Sequence, residues 1–324
     1  MATLFDLLKL KKLNMGAVQN VDEMTIVPLV SQEAIDEIAP PSNLHFESTV
    51  GYGSMRFSNT DRDRPAIVPT NLMVRGKGGQ DHAMSGSGVV LPNTTQIFDN
   101  ACCIEQRQGG MLGSSENEED ILPVDLRKSL LDLPLRKKKE YGKLWPSILN
   151  WIKGIPILRG TTSAHLRYFY DHNEVKQSLE DFAAEFEPIE NQIGAIILFG
   201  GVPVGLEIMP SADHWNTYWK HLIRGCYGAE LLRLKLSGKI TPSQLILPNI
   251  PDGAKPEDVE TIIGSFINHL REEVVPLIEG MKIKSNSMIS NNGNLQTRLI
   301  STETGGGGDI ILRGTTPVYI SIIL

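Results

Sequence analysis

Between Asn71 and Gly113 the chain gathers side chains that could bind or react. Lys77, Gly78, Gly79, Gln80, Asp81 and His82 follow one another in a glycine-rich polar loop, and Cys103, Glu105 and Arg107 close the apolar stretch further on. Successive backbone N–H groups in such a loop can hold an anion, with Lys77 adding charge. The Walker A spacing is absent, since no Gly-Lys-Ser/Thr stands four residues after a glycine and no helix begins there. The loop therefore reads as a site for an anionic or polar ligand, or more simply as a tight turn. Cys103 with Glu105 and His82 has the types needed for nucleophile, base and orienter. A cysteine inside an apolar strand is ordinarily a packing residue, however, and no catalytic residue is assigned. His214 and His221 share a helix face seven residues apart. Metal-binding histidines on one helix usually sit at i and i+4 with a further ligand nearby, so neither a metal nor a cofactor is implied.

These residues need a sheet to place them. Met24–Val30 and His45–Val50 read as strands, separated by Pro40-Pro41. Leu72–Val74, Gly88–Leu91, and Gln96–Phe98 continuing through Ala101–Ile104 read as three short strands with Gly- and Asn-rich turns. No helix-length segment separates them, which argues for a sandwich or compact mixed sheet rather than a βαβ unit. A helix is expected over Asn173–Phe186 with Asn173 as N-cap. Gly194–Phe199 and Val202–Ile208 flank Gly200-Gly201 as a β-hairpin, with Pro203 requiring an edge or a bulge. From Pro210 a long helix places Trp215, Trp219, Leu222, Cys226, Ala229 and Leu232 on one buried face, and another helix follows from Pro256 to about Gly280. Residues 281–304 are polar and β-compatible, and Gly305–Gly308 read as a flexible joint. Val318–Leu324 is an apolar strand that must pair with its own sheet or a neighbour's. The hexapeptide Ile157–Thr162 recurs identically as Ile311–Thr316.

The expected class is therefore α+β, a compact mixed or antiparallel β-sheet or sandwich with packed helices. An N-terminal amphipathic helical arm is expected over 1–20 and a body over 21–240, with an inserted helical or irregular segment at 114–155. A linker and helix follow over 241–280, then a C-terminal β arm over 281–324.

With 38 acidic against 31 basic residues the net charge is −7, a field that repels nucleic acid and anionic membranes. The acidic run Glu116–Asp120 and the basic run Arg136–Lys139 read as solvated loop charges. Three cysteines, two of them adjacent, do not form a disulfide framework, and reduced thiols in a cytoplasmic compartment are the simplest account. The leader, with Leu4, Phe5 and Leu8 among charges, is too short and too charged to span a bilayer. It lacks the pattern of a signal peptide and reads as a docking helix.

Two segments resemble the ARG and rhodanese-phosphatase associated protein family. They are Gly78–His82 running on to Cys103-Ile104-Glu105-Gln106-Arg107, and the hairpin Gly194–Ile197 and Gly205–Ile208 with Trp219–Ile223. In that family the loop reads like Gly-x-Lys-Gln-x-Arg and the strand ends like Cys-Val-Glu-x-x-Arg-Trp. Here Gly79 replaces the lysine, His82 replaces the arginine, Arg107 is displaced and the tryptophan is missing. The resemblance covers roughly 15–235. It implies a compact α+β domain and a connection to ADP-ribose or nucleotide metabolism, without established catalytic residues.

Three functional expectations follow. The first is a non-enzymatic assembly protein, such as a phage virion component, forming homo-oligomers or larger assemblies through exchangeable arms that carry Leu4, Phe5, Leu8, Val318, Tyr319, Ile320 and Ile322. The second is a binding module for a nucleotide or ADP-ribose-like ligand at Lys77–His82, Glu105 and Arg107. The third is a hydrolase or transferase.

Overall fold

The computed structural model describes residues 13–32, 35–106, 109–240, 255, 261–262, 264–265, 268 and 270–324. Leu4, Phe5, Leu8, Arg107 and the start of the helix expected from Pro256 lie outside them. In chain order the strands are β1 (Asn14–Met15), β2 (Gln19–Val21), β3 (Met24–Val30), β4 (Leu44–Thr49), β5 (Met55–Asn59), β6 (Ala66–Val68), β7 (Leu72–Gly76), β8 (His82–Ala83) and β9 (Gly88–Val90). They continue with β10 (Thr94–Phe98), β11 (Cys102–Cys103), β12 (Asn117–Ile121), β13 (Gln192–Phe199), β14 (Val202–Ile208), β15 (Ile283–Asn292), β16 (Leu295–Thr302), β17 (Gly307–Arg313) and β18 (Thr316–Ile323). The helices are α1 (Val124–Ser129), α2 (Leu133–Lys137), α3 (Trp145–Lys153), α4 (Arg167–Tyr170), α5 (Asn173–Ala184), α6 (Ala212–Lys220), a π-helical stretch His221–Gly228, α7 (Ala229–Leu236) and α8 (Val275–Glu279).

The architecture is the expected α+β. A nine-stranded sheet runs β1-β3-β13-β14-β18-β17-β16-β15, with β2 also on β3. Smaller sheets, β10-β5-β4, β11-β8-β7-β12 and β6-β9, carry the middle of the chain. The pairs within them are antiparallel, as short polar hairpin connections require. The β13–β14 hairpin forms as its sequence requires: Gly200 and Gly201 both have positive φ, the signature of a twist-matched two-residue turn. A register shift between Ile197 and Leu198 falls opposite Gly205 and Pro203 and accommodates the proline.

The C-terminal β arm is a four-strand meander closed onto the chain's own sheet. β18 pairs with β14 on one side and β17 on the other, and Val318, Tyr319, Ile320 and Ile322 are buried. Gly305–Gly308 is not a flexible joint, because Gly307 and Gly308 belong to β17, packed against the backbone of Ile300 and Ser321 too closely for a side chain. The 114–155 segment contributes a strand, β12, as well as helices. The two copies of the hexapeptide differ in structure: the first spans a 3-10 turn and the loop after it, and the second is the β17–β18 hairpin turn. Among the described residues no helix is long and apolar enough to cross a membrane.

Candidate functional site

Antiparallel pairing of β7 with β12 sets Arg75 opposite Glu118 and Met73 opposite Asp120, so side-chain alternation puts Arg75, Glu118 and Asp120 on one face. Asp120 is fully buried there. Arg75 Nη2 donates to its Oδ2 at 2.8 Å and Arg224 Nη2 to its Oδ1 at 2.8 Å, while His221 Nδ1 lies 3.9 Å from Oδ1. Arg75 also lies 3.0 Å from Glu118 Oε2, and its guanidinium sits 4.6 Å from the ring centre of Tyr170. Arg224 reaches Glu180 on α5 with its other terminal nitrogen. Burial pushes the Asp120 carboxyl up, but His221, Arg75 and Arg224 outweigh it and hold the group below its ordinary range. Burial also dominates at neighbouring Glu119, which is raised.

The π-helical stretch aims these groups. It lies between α6 and α7 and turns His221 and Arg224 toward β12. Gly225 lets the helix approach: a Cβ there would stand 2.5 Å from Asp120 Oδ1, and Tyr170 donates its hydroxyl to the Gly225 carbonyl at 2.6 Å. Single π turns inside α-helices are frequent at functional sites. Above Asp120 opens a cleft of about 280 Å³ lined by Arg75, Glu118, Glu119, Tyr170, Lys176, Leu179, Glu180, His221 and Arg224. Its inner ion pairs are desolvated. Glu118, Glu180 and Lys176 at the rim are about half exposed, where such pairs are weak.

A second charged cluster adjoins the first. Arg167 Nε lies 2.9 Å from Asp81 Oδ2 and 3.3 Å from Glu105 Oε1, and Asp81 Oδ1 also accepts the Gly76 amide at 3.1 Å. Asp171 joins the clusters, 3.4 Å from Arg75 Nη1 and 4.0 Å from Arg167 Nε. Burial and then the Asp81 carboxyl push Glu105 up to about 8. Both carboxyls face the one Arg167 guanidinium, and the charge of each disfavours ionisation of the other.

A family model described as the ARG and Rhodanese-Phosphatase-superfamily-associated Protein domain, ARPP-1, matches residues 12–273. The chain belongs to the ARPP-1 family. No curated protein and no solved structure matches it. The description ties ARPP-1 domains to the rhodanese-phosphatase superfamily, and it overturns the expectation of a non-enzymatic virion or assembly component. The fold supplies the physical reason: both edges of β18 are occupied within the chain, so the strand that was to exchange between copies is part of the core.

Within this ARPP-1 domain the glycine loop is closed. Lys77 and Gly78 are exposed, but a Cβ on Gly79 would stand 2.5 Å from the Met111 carbonyl carbon, and the Gln80 amide donates to the Gly110 carbonyl at 3.2 Å. His82 is buried with Nδ1 2.8 Å from the Gln80 carbonyl and Nε2 accepting the Gly53 amide at 3.0 Å. Burial lowers its pKa, and both nitrogens hold backbone. The Cys103 thiol donates to the Glu105 carbonyl at 2.9 Å and is pushed up to about 12, chiefly by burial. His214 binds Ser211 and the Ala39 carbonyl through its two nitrogens. Of the residues expected to act together, Asp81 and Glu105 meet, with Gln80 donating to the Glu105 carbonyl at 3.2 Å. No local pattern announces the pairing of Arg75 with Asp120 or the meeting of Arg224 with His221, since the partners lie 45 or more residues apart or on a helix read as plain core. The acidic run that reads as solvated charge is in fact β12, and Arg136 of the basic run is buried against Asp309.

Proposed function

We propose that this ARPP-1 domain binds a phosphate-bearing, nucleotide-like ligand in the cleft above Asp120. The observation that carries the reading is the convergence of Arg75, Arg224, Lys176 and His221 on one cleft of about 280 Å³, with a buried carboxylate fixing both guanidinium groups from behind. A guanidinium held in place from below presents its remaining N–H groups in the fork that matches a phosphate. The exposed carboxylates of Glu118 and Glu180 give way to a phosphate at little cost, or accept hydroxyl groups of a sugar. A phosphorylated ligand also agrees with a family described by its association with a phosphatase superfamily. On this reading the closed glycine turn does not cradle the ligand. It supports Arg75, which stands immediately before it.

Thermal unfolding with a panel of nucleoside monophosphates, ADP and ADP-ribose tests the reading. A ligand present at a hundred times its Kd stabilises by about 2.7 kcal/mol. At least one of the panel should raise the melting temperature, and Arg224→Gln with Lys176→Ala should abolish the rise. A panel without effect, or a rise that survives both substitutions, overturns the proposal.

A further inference from the structure

On the far side of Leu179 from the cleft lies a second, apolar slot. We infer that the cleft is one half of a two-part site, and that the slot receives the aromatic base of the nucleotide whose phosphate lies at Arg224. The inference rests on the nucleotide reading and extends it to a base-recognition subsite.

Helix α5 and the α6–π–α7 helix enclose both parts. α5 gives Lys176 and Glu180 to the cleft and Ser178 and Phe182 to a slot of about 190 Å³, with Leu179 lining both. On the facing helix His221 and Arg224 line the cleft, and Gly228, Leu231, Leu232 and Lys235 line the slot. Leu179 is common to the two linings, so cleft and slot lie side by side between the same two helices. At Gly228 the helices come so close that a Cβ would stand 3.1 Å from Phe182 Cδ1, so the missing side chain leaves the slot open between Phe182 and Leu231.

The two halves differ in chemistry. In the slot the one cation is already held by two carboxylates, Lys235 Nζ lying 2.8 Å from Asp22 Oδ2 and 2.7 Å from Glu23 Oε2, so no free positive charge is offered to a phosphate and Leu179, Phe182, Leu231 and Leu232 form the walls. Apolar walls with a polar rim accept a flat neutral ring with heteroatoms on its edge. Arg224 and Leu231 are seven residues apart, at most about 10 Å along the axis at the α-helical 1.5 Å per residue and less where the helix is π, within the reach of a nucleoside phosphate. A sugar phosphate would fill the cleft and leave the slot empty.

Calorimetric titration of the full chain separates the possibilities. The probes are ribose 5-phosphate and the monophosphates of adenosine, guanosine, cytidine and uridine. The best of the four nucleotides should bind at least tenfold tighter than ribose 5-phosphate. Ser178→Trp, on the exposed side of α5, should fill the slot and reduce that nucleotide to the affinity of ribose 5-phosphate, while Gln177→Ala, exposed on the same helix and lining neither part, leaves both unchanged. Circular dichroism and the melting temperature confirm that the tryptophan variant is folded. Equal affinity of ribose 5-phosphate and all four nucleotides in the native chain overturns the base subsite and leaves the phosphate reading standing. So does a nucleotide preference that persists in Ser178→Trp. Absence of binding by every probe overturns both.

Discussion

Asp120 and Glu105 are both buried carboxyls, yet their surroundings drive them apart. Asp120 faces two guanidinium groups and a histidine, so its folded pKa lies below the unfolded value of about 3.9. Its stabilising contribution is complete above that value and is lost as pH falls through the folded pKa. Glu105 behaves oppositely: burial and Asp81 raise it to about 8, above an unfolded value of about 4.3. Stability from this group is greatest below the unfolded value and declines as pH rises toward 8. Glu105→Gln stays neutral at every pH and so carries no charge to repel Asp81. Denaturant unfolding at pH 5 and pH 8 should therefore show the variant gaining stability over the native chain at the higher pH. An equal difference at both values would show that Glu105 does not ionise between them in the folded chain. Comparing the two proteins removes the opposing contribution of buried His214, whose pKa falls to about 4, chiefly through burial, and which destabilises the fold as pH drops below about 6.5. At this scale the sequence shows residue types without partners. Asp81 reads as polar loop chemistry, but its guanidinium comes from Arg167, 86 residues away, and no local spacing announces that.

At the scale of elements, hydrophobic period and turn chemistry were enough for the β13–β14 hairpin and for α5, where apolar spacing and the glycine pair act locally. The α5 boundary differs slightly, since helix begins at Asn173 itself and His172 precedes it without a side-chain cap. The long helix after Ser211 was legible as a helix and not as an interrupted one. A π turn inserts a residue and rotates the following stripe by about 100°. Tyr227 and Leu231 consequently join the core, while Leu232 is only partly buried; ahead of the π stretch it is Tyr218 and not Trp219 that is fully buried. Gly225 is the residue on which this geometry depends most. Gly225→Ala places a methyl 2.5 Å from Asp120 Oδ1, and the neighbour is a carboxylate fixed by two arginines that cannot swing aside. Overpacking of this kind costs about 1–3 kcal/mol. Gly154→Ala, at a helix end where the added Cβ would stand 3.8 Å from the Trp151 carbonyl oxygen, should be neutral or slightly stabilising. Equilibrium denaturation of the two variants gives the comparison, and equal effects would remove the constraint assigned to the π turn. Because the displaced Asp120 would no longer fix Arg224, Gly225→Ala should also weaken the nucleotide binding proposed for the cleft.

At the scale of the whole molecule the family match and the fold end in different places. The match stops at residue 273, but the nine-stranded sheet continues through β15–β18 to residue 323. Apolar composition showed that the last strand needed a partner, but composition carries no address, and a strand edge offered by another copy would satisfy it equally well. The address is written in buried polar groups drawn from the whole chain. Asp309 Oδ2 accepts from Arg136 at 2.5 Å and from the Thr70 hydroxyl at 3.1 Å, while Ser321 accepts from Arg127 at 2.6 Å and the Tyr319 hydroxyl accepts the Thr70 amide at 2.8 Å. Arg127 also donates to Glu207 at 2.8 Å, so this one guanidinium joins α1 to both β14 and β18. Groups this deeply buried tolerate little loss of a partner. Asp309→Ala leaves the Arg136 guanidinium buried without its carboxylate and should cost about 3–5 kcal/mol in denaturant unfolding. Truncation after Gly280 goes further, since it bares the β14 edge and removes the groups that hold Arg127 and Arg136. The shortened chain should lose its cooperative thermal transition and associate in light scattering. A truncated chain that stayed monomeric and melted cooperatively near the native temperature would show the meander to be an accessory; the buried Asp309 and Ser321 contacts instead make it the last layer of the domain that carries the cleft.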